Sequence, residues 1–453
     1  MKTKLQRSEL VLIGSMLFGL FFGAGNLIFP IILGAQAGNN LLPALIGLLI
    51  TAVGIPLLGI VSIGISRSEG LLELSGRVSP LFRLFFTCAL YLTIGPLFAI
   101  PRCAATSFTI GISPLVGENV AVCQAIFTTA FFAAVLFFSF RPSKILDSVG
   151  KWLNPIFLVF LAVLLVTALV RPANSVSVVA PSASYEKGPF FAGFLQGYDT
   201  LDALASLAFG IIVVRTIRQL DIKEPRAVAA NTVKAGVMSM SLMAVIYAVT
   251  ALVGAKSWRL YADRLAEPGF TGGDAFAVIA QHYFGKAGIL LLAVIVTFCC
   301  LKTAIGLVTS CSETFTELFP HSLPYKGWAL VFTFVGLLIS NIGLSSIIAF
   351  SAPVLYFLYP LAMVLIVVGI VGCLFKHARP IYSWSIGLTF IAAVFDLAKV
   401  SGISALRFLI SFAERWLPLY SYGLGWICPA VLGFIIGLAI SFCKRTNYES
   451  EKL

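Results

Sequence analysis

The sequence predicts an all-α polytopic membrane protein with about twelve transmembrane helices, and three observations lead to this fold class. Of the 453 residues, 59% are hydrophobic and only 11% are charged, and the mean hydropathy is +1.00. Apolar runs long enough to cross a bilayer recur along the whole chain. The basic residues alternate between successive loops instead of forming one patch, which indicates membrane topology rather than nucleic-acid binding.

Each predicted span is a charge-poor run, and no soluble domain or long linker interrupts the series. A helix needs about 20 apolar residues to cross the hydrocarbon core. The runs in chain order are 10–32, 41–65, 80–112, 120–140, 152–170, 190–214, 233–253, 287–311, 328–348, 350–375, 381–395 and 422–443. We therefore interpret residues 1–453 as one membrane domain.

The distribution of lysine and arginine predicts the orientation of these spans. With a cytoplasmic N-terminus, twenty of the 31 basic residues fall in cytoplasmic segments and nine fall outside. The remaining two, Arg102 and Lys302, fall within spans. An excess of basic residues in cytoplasmic loops is the positive-inside pattern, so both termini are expected in the cytoplasm.

Composition and motifs argue against several other classes of protein. The nine cysteines lie in or at the edges of spans without a C-x-x-C spacing, and we interpret them as small packing residues. The three histidines lie near span ends, and no Ser/His/Asp set, carboxylate pair or phosphate-binding loop is evident. The sequence predicts no enzyme, no cofactor, no firmly assigned metal site, no nucleic-acid partner and no obligate protein partner.

The first span contains glycines and a proline where a regular helix would be expected. The stretch GLFFGAGNLIFPIILGAQAG, residues 19–38, has Gly23, Gly25 and Pro30 near its middle. Freed backbone groups at that depth are tolerated where protein, water or a ligand satisfies them, so a broken helix indicates a cavity. The same glycines are also typical of a close helix crossing, and on this motif alone both interpretations stand.

A second interruption favours the broken-helix interpretation. The stretch GFLQGYDTLDALASLAFG, residues 193–210, carries Gly197, Asp199 and Asp202 inside the sixth span. Breaks in helices 1 and 6 are typical of a 5+5 inverted repeat with a midplane site between the halves. We expect the first repeat at about 8–170, the second at about 188–375 and two additional helices at about 380–443.

A site of this kind suits an amino acid. The helix that starts after the first break would offer N–H groups and a positive dipole end to a carboxylate. Unwound carbonyls at residues 196–199 would suit an ammonium group, and nearby aromatic residues favour an apolar side chain. The predicted substrate-binding residues are Gly23, Ala24, Gly25, Asn26, Phe98, Gln196, Gly197, Tyr198 and Asp199.

Four separated motifs resemble one known family over nearly the full chain. These are LFFGAGNLIFP, IGPLFAIPR (94–102), GYDTLDALASLAFGI and APVLYFLYPLA (352–362), and they resemble the bacterial branched-chain amino acid:cation symporters, the BrnQ-type carriers. The resemblance implies a leucine-transporter-like fold in the cell inner membrane and uptake of leucine, isoleucine and valine by cation symport. The implied partners are the amino acid, a coupling cation and the lipid bilayer.

The resemblance also implies roles for particular residues. Ala24 and Gly25 would offer N–H groups to the substrate carboxylate, while Asn26 would orient the loop. The carbonyls of Gly19 and Phe22 would face a cation. Hydroxyl groups from helix eight would complete that cation site at the positions of Lys302 and Thr303.

Lys302 departs from the Thr-Thr pair that is common in the family. An ammonium group could occupy the volume of a sodium ion and donate to the same carbonyls, which predicts transport without sodium and, as a further possibility, proton coupling. Retention of a lysine at a helix centre is costly, about 2.5–3.5 kcal/mol on insertion scales. The alternative is a conventional sodium-coupled symporter.

Some alternatives remain open at the level of the sequence. Arg102 could pair with Asp199 or Asp202 as part of a gate, or could extend towards the membrane surface. A related apolar substrate such as methionine, a non-transporting amino acid sensor and a channel are the competing functions. A channel is disfavoured because no selectivity filter or ring of charges is evident.

Overall fold

The computed structural model describes nearly the whole chain, and its described residues are predominantly helical, with no β-strand among them. The described residues are 4–66, 68, 70–117, 119–140, 155, 158–222, 224–375, 377–403 and 406–450, with only the backbone described at Ala24 and at residues 444–450.

Nineteen helices are used below to locate the site. In chain order they are α1 Arg7–Phe21, α2 Ala24–Ala37, α3 Leu41–Leu49, α4 Ile55–Ser66, α5 Leu71–Gly76, α6 Pro80–Leu92, α7 Ala99–Ser107, α8 Val120–Ser139, α9 Leu158–Val170, α10 Ala183–Glu186, α11 Pro189–Gln196, α12 Asp202–Gln219, α13 Pro225–Lys256, α14 Gly272–Leu318, α15 Tyr325–Ser340, α16 Leu344–Val371, α17 Arg379–Ser401, α18 Arg407–Trp416 and α19 Ile427–Ser450. Short π-helical segments, Ile50–Gly54 and Thr93–Leu97, join α3 to α4 and lie between α6 and α7.

The prediction of a polytopic all-α membrane protein is confirmed. Among the described residues, seven helical segments are long and apolar enough to cross a membrane, eight if the bent pair α11 and α12 counts as one span. Three shorter apolar helices, Leu158–Val170, Tyr325–Ser340 and Ile427–Cys443, coincide with further predicted runs. Residues 152–154 of the fifth predicted run, together with 156 and 157, lie outside the described residues.

The predicted boundary between the ninth and tenth spans was wrong. The ninth predicted run ends at residue 348, whereas α15 ends at Ser340 and α16 begins at Leu344. The turn contains Gly343 with φ of 92°, a left-handed conformation that glycine adopts at little cost. Apolar residues continue on both sides of the turn, so hydropathy alone did not mark it.

The packing of the two broken spans follows one pattern. Both α1 and α2 pack on α13, while α11 packs on α3 and α12 packs on α4. α13 is the seventh span, and α3 together with α4 forms the second. The first span therefore packs on the seventh and the sixth packs on the second, which is expected if the two five-helix halves are equivalent. The pattern agrees with the inverted repeat expected from the sequence; the repeat boundaries stay a prediction.

Glycines permit the closest of these crossings. A Cβ on Gly34 of α2 would lie 1.8 Å from the carbonyl oxygen of Ala251 on α13, and a Cβ on Gly193 of α11 would lie 1.9 Å from the carbonyl oxygen of Ala44 on α3. No side chain fits at either distance. Small residues therefore hold each broken span against its neighbour, as in other membrane helix interfaces.

The C-terminal helices pack at the side of this arrangement. α17 packs on α16, and α19 packs on α17. Between them lies α18, a short amphipathic helix whose Phe408 and Trp416 are 77% and 65% exposed. Such a helix suits the membrane interface, where one face meets acyl chains and the other meets water.

Candidate functional site

The first helix break lies between α1 and α2. α1 ends at Phe21, and Phe22 and Gly23 adopt extended backbone conformations before α2 begins at Ala24. The N–H of Gly23, the residue before the helix, donates to Oδ1 of Asn26 in the first turn at 2.7 Å, as in one half of a capping box. N–H groups in the first turn of a helix have no partner within the helix, so this end of α2 presents donors.

The second break lies between α11 and α12, which are inclined at 47° to each other. A 3₁₀ turn, Gly197–Thr200, follows α11, and Leu201 has a left-handed backbone with φ of 66°. The hydroxyl of Thr200 donates to the carbonyl of Gly197 at 2.8 Å and accepts from the N–H of Asp202 at 3.3 Å. Thr200 therefore satisfies backbone groups that the broken helix leaves free.

A buried hydrogen-bond network connects the two breaks. The amide of Asn26 donates to Oδ1 and Oδ2 of Asp202 at 3.2 and 3.0 Å. The hydroxyl of Tyr247, on α13, donates to Oδ2 of Asp202 at 2.6 Å and also contacts the Asn26 amide. Two donors on the Asp202 carboxylate offset part of the cost of burying it.

Arg102 of α7 contacts the second break through backbone atoms. Its Nη1 donates to the carbonyl of Asp199 at 2.6 Å, and its Nη2 donates to the carbonyl of Thr200 at 3.5 Å. The guanidinium lies 5.2 Å from the ring centroid of Phe29 on α2. With Arg102 only 3% exposed, it does not extend to the membrane surface, and it forms no ion pair with a described carboxylate. The partner group is thus the unwound backbone rather than the carboxylate of Asp199 or Asp202.

A small cavity lies where the two breaks meet. Its volume is about 40 Å³. The lining residues come from α1, α2, α7, α12, α14 and the segments between them: Leu20, Phe21, Gly23, Gly25, Asn26, Ile94, Ala99, Arg102, Cys103, Thr200, Leu201, Asp202, Ala205, Phe209, Thr303 and Leu307. Small-molecule sites usually enclose about 300–1,000 Å³, so an amino acid requires the helices around this cavity to separate.

The carbonyl of Phe22 meets α14 beside this cavity. It accepts from the thiol of Cys299 at 3.2 Å and from the hydroxyl of Thr303 at 3.4 Å, while Thr303 also donates to the carbonyl of Cys299 at 3.2 Å. Lys302 precedes Thr303 and is buried, at 7% exposed, but it does not line the cavity. Gly19 is buried three residues before Phe22 on α1.

The predicted substrate-binding residues divide into two groups in the structure. Gly23, Gly25 and Asn26 line the cavity, together with Arg102, Asp202 and Thr303 from the other predicted roles. Ala24 contributes its backbone to the first turn of α2. The remaining predicted residues lie along the sixth span or near α7 and do not line the cavity: Phe98, Gln196, Gly197, Tyr198 and Asp199.

Several of these outlying residues have other contacts. The ring of Tyr198 stacks on Tyr359 of α16 with centroids 4.4 Å apart. Gln196 accepts a hydrogen bond from the hydroxyl of Tyr185, whose pKa is raised by burial, so that Tyr185 remains a donor. Phe98 is half-buried at the start of α7. The carbonyl of Asp199 contributes to the site through Arg102.

Among the residues that make hydrogen bonds at the two breaks, the sequence did not predict Thr200, Tyr247 and Cys299. Tyr247 and Cys299 are in the middle of apolar spans, where a tyrosine or cysteine gives no pattern that distinguishes a site from the core. Thr200 lies between Asp199 and Asp202, and its position beside two acidic residues in a broken span was the one available signal.

Comparison with known proteins gives consistent results over the full chain. A family model described as branched-chain amino acid transport protein matches residues 6–444. A protein of Lactobacillus delbrueckii subsp. lactis named branched-chain amino acid permease BrnQ is 48% identical over 440 residues, covering 96% of this chain and 97% of its own length. A Bacillus subtilis protein of the same name is 41% identical over 447 residues, covering 98% of this chain and 99% of its own.

The fold is also found among solved structures. Mhp1, a nucleobase-cation-symport-1 family transporter solved in a closed conformation with bromovinylhydantoin bound, aligns with a TM-score of 0.60 at 15% identity. The alignment covers 96% of this chain and 92% of the Mhp1 chain, which supports a leucine-transporter-like arrangement of helices. From the family match and the two relatives, the chain belongs to the branched-chain amino acid transport protein family.

Proposed function

We propose that this protein imports leucine, isoleucine and valine across a bacterial cytoplasmic membrane as a secondary transporter. The observation that carries the proposal is the cavity between two helix breaks, lined by Gly23, Gly25, Asn26, Thr200 and Asp202. Broken helices facing one cavity are the arrangement in which secondary transporters bind substrate near the bilayer midplane. Membership of the family and the names of the two relatives support the substrate class.

The substrate carboxylate binds at the N-terminal end of α2 in this proposal. Ala24 and Gly25 donate their N–H groups, and Gly23 and Asn26 hold the loop in shape. The positive end of the helix dipole favours an anion at that position. The hydrogen bond from Gly23 to Asn26 supports the role of Asn26, since it fixes the backbone immediately before the two donors.

In this proposal the substrate ammonium binds backbone carbonyl groups of the sixth span, at Gln196, Gly197, Tyr198 or Asp199. The apolar side chain of the substrate packs near Phe98. In the described conformation these residues do not line the cavity, and the carbonyls of Asp199 and Gly197 accept from Arg102 and Thr200. Binding of the ammonium therefore requires the sixth span to move and these donors to be replaced. Apolar lining residues such as Leu20, Ile94 and Phe209 support a hydrocarbon side chain rather than a charged one.

The coupling region lies between α1 and α14, at the carbonyls of Gly19 and Phe22 and the side chains of Lys302 and Thr303. The contact between Thr303 and the carbonyl of Phe22 supports this assignment. We propose that the ammonium of Lys302 takes the role of a sodium ion, which makes transport independent of sodium, with protons as the coupling ion. A sodium-coupled symporter is the alternative.

The orientation follows from the distribution of basic residues, with both termini in the cytoplasm. Inward import then brings the amino acid from the side opposite the N-terminus. The excess of lysine and arginine in alternate loops supports this orientation.

Uptake of radiolabelled leucine into proteoliposomes tests the proposal, with sodium and proton gradients imposed separately. We expect uptake above that of protein-free liposomes and competition by isoleucine and valine, with methionine as a further competitor to rank. Counterflow in vesicles preloaded with unlabelled leucine separates a transporter from a sensor. Binding of leucine without counterflow would identify a sensor. Uptake whose rate does not saturate as the leucine concentration rises would identify a channel.

A further inference from the structure

A second, larger cavity lies at the end of the bundle that holds the N-terminus. Its volume is about 1,020 Å³, and it is lined by the end of α4, the link from α5 to α6, the start of α13 and the segment leading into α17. None of its described lining residues belongs to α1, α2, α12 or α14. We call it the basic cleft, and it is separate from the cavity between the broken helices.

Three arginines from three different elements line the basic cleft. Arg77 comes from the link between α5 and α6, Arg226 from the first turn of α13 and Arg379 from the start of α17. The guanidinium of Arg77 is held by neutral groups, since it donates to the carbonyl of Ser66 at 2.6 Å and to the hydroxyl of Tyr382 at 3.4 Å. Arg226 and Arg379 are exposed in the cleft.

No acidic side chain lines the basic cleft in the part of the chain that the structure describes. Among the described residues, none of the three arginines forms an ion pair. Glu73 acts on Arg77 through its charge from outside the lining, and both Glu73 and Glu224 are exposed. Three like charges around one cavity repel each other, so an anion between them lowers the free energy of the arrangement.

Part of the wall of the basic cleft is apolar. Ile65 and Phe375 line it, and Ile65 is 37% exposed. The neighbouring Leu374 is 80% exposed. A ligand that fits both halves has a negative head and hydrocarbon chains. The positive-inside pattern assigns this end of the bundle to the cytoplasmic leaflet, where anionic lipids concentrate.

We propose that the basic cleft binds the phosphate headgroup of an anionic phospholipid. Arg226 and Arg379 donate to the phosphate oxygens, with Arg77 fixed behind them, and the acyl chains lie along Ile65 and Phe375. Guanidinium groups match phosphate geometry with paired, charge-assisted hydrogen bonds. A lipid bound there joins α13 of the main bundle to α17 of the C-terminal helices, and so ties the additional helices to the core.

Lipid titration of the purified full-length protein tests this site. Bound phosphatidylglycerol and phosphatidylcholine are counted by native mass spectrometry for the unmodified protein and for Arg226→Gln/Arg379→Gln. Each basic residue near the surface contributes about 1 kcal/mol to anionic-lipid binding, so the double variant is expected to bind phosphatidylglycerol roughly thirtyfold more weakly. Arg226→Lys/Arg379→Lys keeps the charge and should retain part of the affinity. Both arginines are exposed, so these substitutions leave the core unchanged.

A matched control removes two exposed basic residues outside the cleft, Arg7→Gln/Arg215→Gln, and should bind as the unmodified protein does. The proposal is overturned if all the variants bind phosphatidylglycerol as tightly as the unmodified protein does. It is also overturned if the unmodified protein binds phosphatidylcholine as tightly as phosphatidylglycerol. Inorganic phosphate is titrated as a separate arm, measured as a shift in melting temperature. Stabilisation by inorganic phosphate as strong as that by phosphatidylglycerol overturns the assignment to a lipid, because a free anion would then suffice.

Discussion

The amide of Asn26 donates to both carboxylate oxygens of Asp202, at 3.2 and 3.0 Å, and so joins two helix breaks that are 176 residues apart in the chain. The side-chain oxygen of Asn26, Oδ1, also accepts from the N–H of Gly23. One side chain therefore shapes the first break and holds the second. A movement of α2 relative to α12 changes the donors on a buried carboxylate, which couples the two breaks energetically.

The first prediction separates the two roles of Asn26. Asn26→Asp keeps an acceptor for the N–H of Gly23 but replaces the donor to Asp202 with a second carboxylate. The change removes a hydrogen bond to a charged group and sets two carboxylates against each other, which costs several kcal/mol, on the order of 2–5. We expect leucine binding to weaken by about thirtyfold or more, measured by scintillation proximity on purified protein.

The exchanged pair Asn26→Asp/Asp202→Asn is the control, because it restores one amide and one carboxylate in reversed positions. We expect it to regain much of the lost affinity. If the exchanged pair binds leucine no better than the single variant, the contact between these side chains is not what joins the breaks.

Gly25→Leu is expected to abolish leucine binding. A Cβ at Gly25 would lie 3.2 Å from Nη2 of Arg102 and 3.3 Å from the carbonyl of Thr200, so a larger side chain fills the cavity and displaces both. The control is Gly387→Leu on α17, where a Cβ meets no atom within 4 Å. Gel filtration and thermal unfolding check that both variants fold. A folded Gly25→Leu protein with unchanged leucine affinity removes this loop from the site.

Arg102→Lys should weaken substrate binding even though the charge remains. The guanidinium reaches two consecutive carbonyls, Asp199 and Thr200, with two nitrogens of its planar fork, whereas a lysine ammonium has a single nitrogen and reaches one at best. We expect about a tenfold loss of leucine affinity, since one charge-assisted hydrogen bond contributes roughly 1.5–3 kcal/mol. Arg102→Met should be worse than Arg102→Lys. The same affinity in both variants would indicate that Arg102 contributes packing alone.

Lys302→Thr tests the coupling region. The substitution places a second hydroxyl beside Thr303, and we expect uptake into proteoliposomes to gain or increase stimulation by sodium. Lys302→Met serves as the control, because it removes the charge without adding an oxygen ligand. Strong sodium dependence in the unmodified protein, with no uptake driven by a proton gradient, would contradict the proposed role of Lys302.

Cysteine labelling checks the orientation. Lys223 and Lys376 lie outside the described residues, so two exposed positions in predicted cytoplasmic loops are used instead: Glu224→Cys, next to Lys223, and Lys326→Cys, in the first turn of α15. Arg264→Cys, 51% exposed as a side chain, marks the opposite side. With the exposed native cysteines Cys373, Cys428 and Cys443 replaced by serine, an impermeant maleimide on intact cells should label Arg264→Cys alone. Labelling of Glu224→Cys from outside would show that the predicted orientation or the predicted number of spans is wrong.

The sequence by itself determined the class of the protein and the positions of the breaks. Hydropathy marked the spans because a membrane helix must be apolar over its length. The breaks were marked by two glycines, Gly23 and Gly25, and two carboxylates, Asp199 and Asp202. Glycines weaken a helix, and a carboxylate inside a bilayer requires polar partners, so both indicate an interrupted span. The motifs around these residues predicted a family of amino acid transporters, and the family match over residues 6–444 confirmed that prediction.

Only the tertiary structure decided which side chains meet at the breaks. Arg102 donates to carbonyl groups rather than to an acid, and Tyr247 reaches Asp202 from another span. The ring of Tyr198 stacks on Tyr359 of another span. These contacts join residues far apart in sequence, and the direction of each side chain depends on how whole helices pack. Local patterns in the chain specify helices and their interruptions, whereas the choice of partner is made by packing between helices.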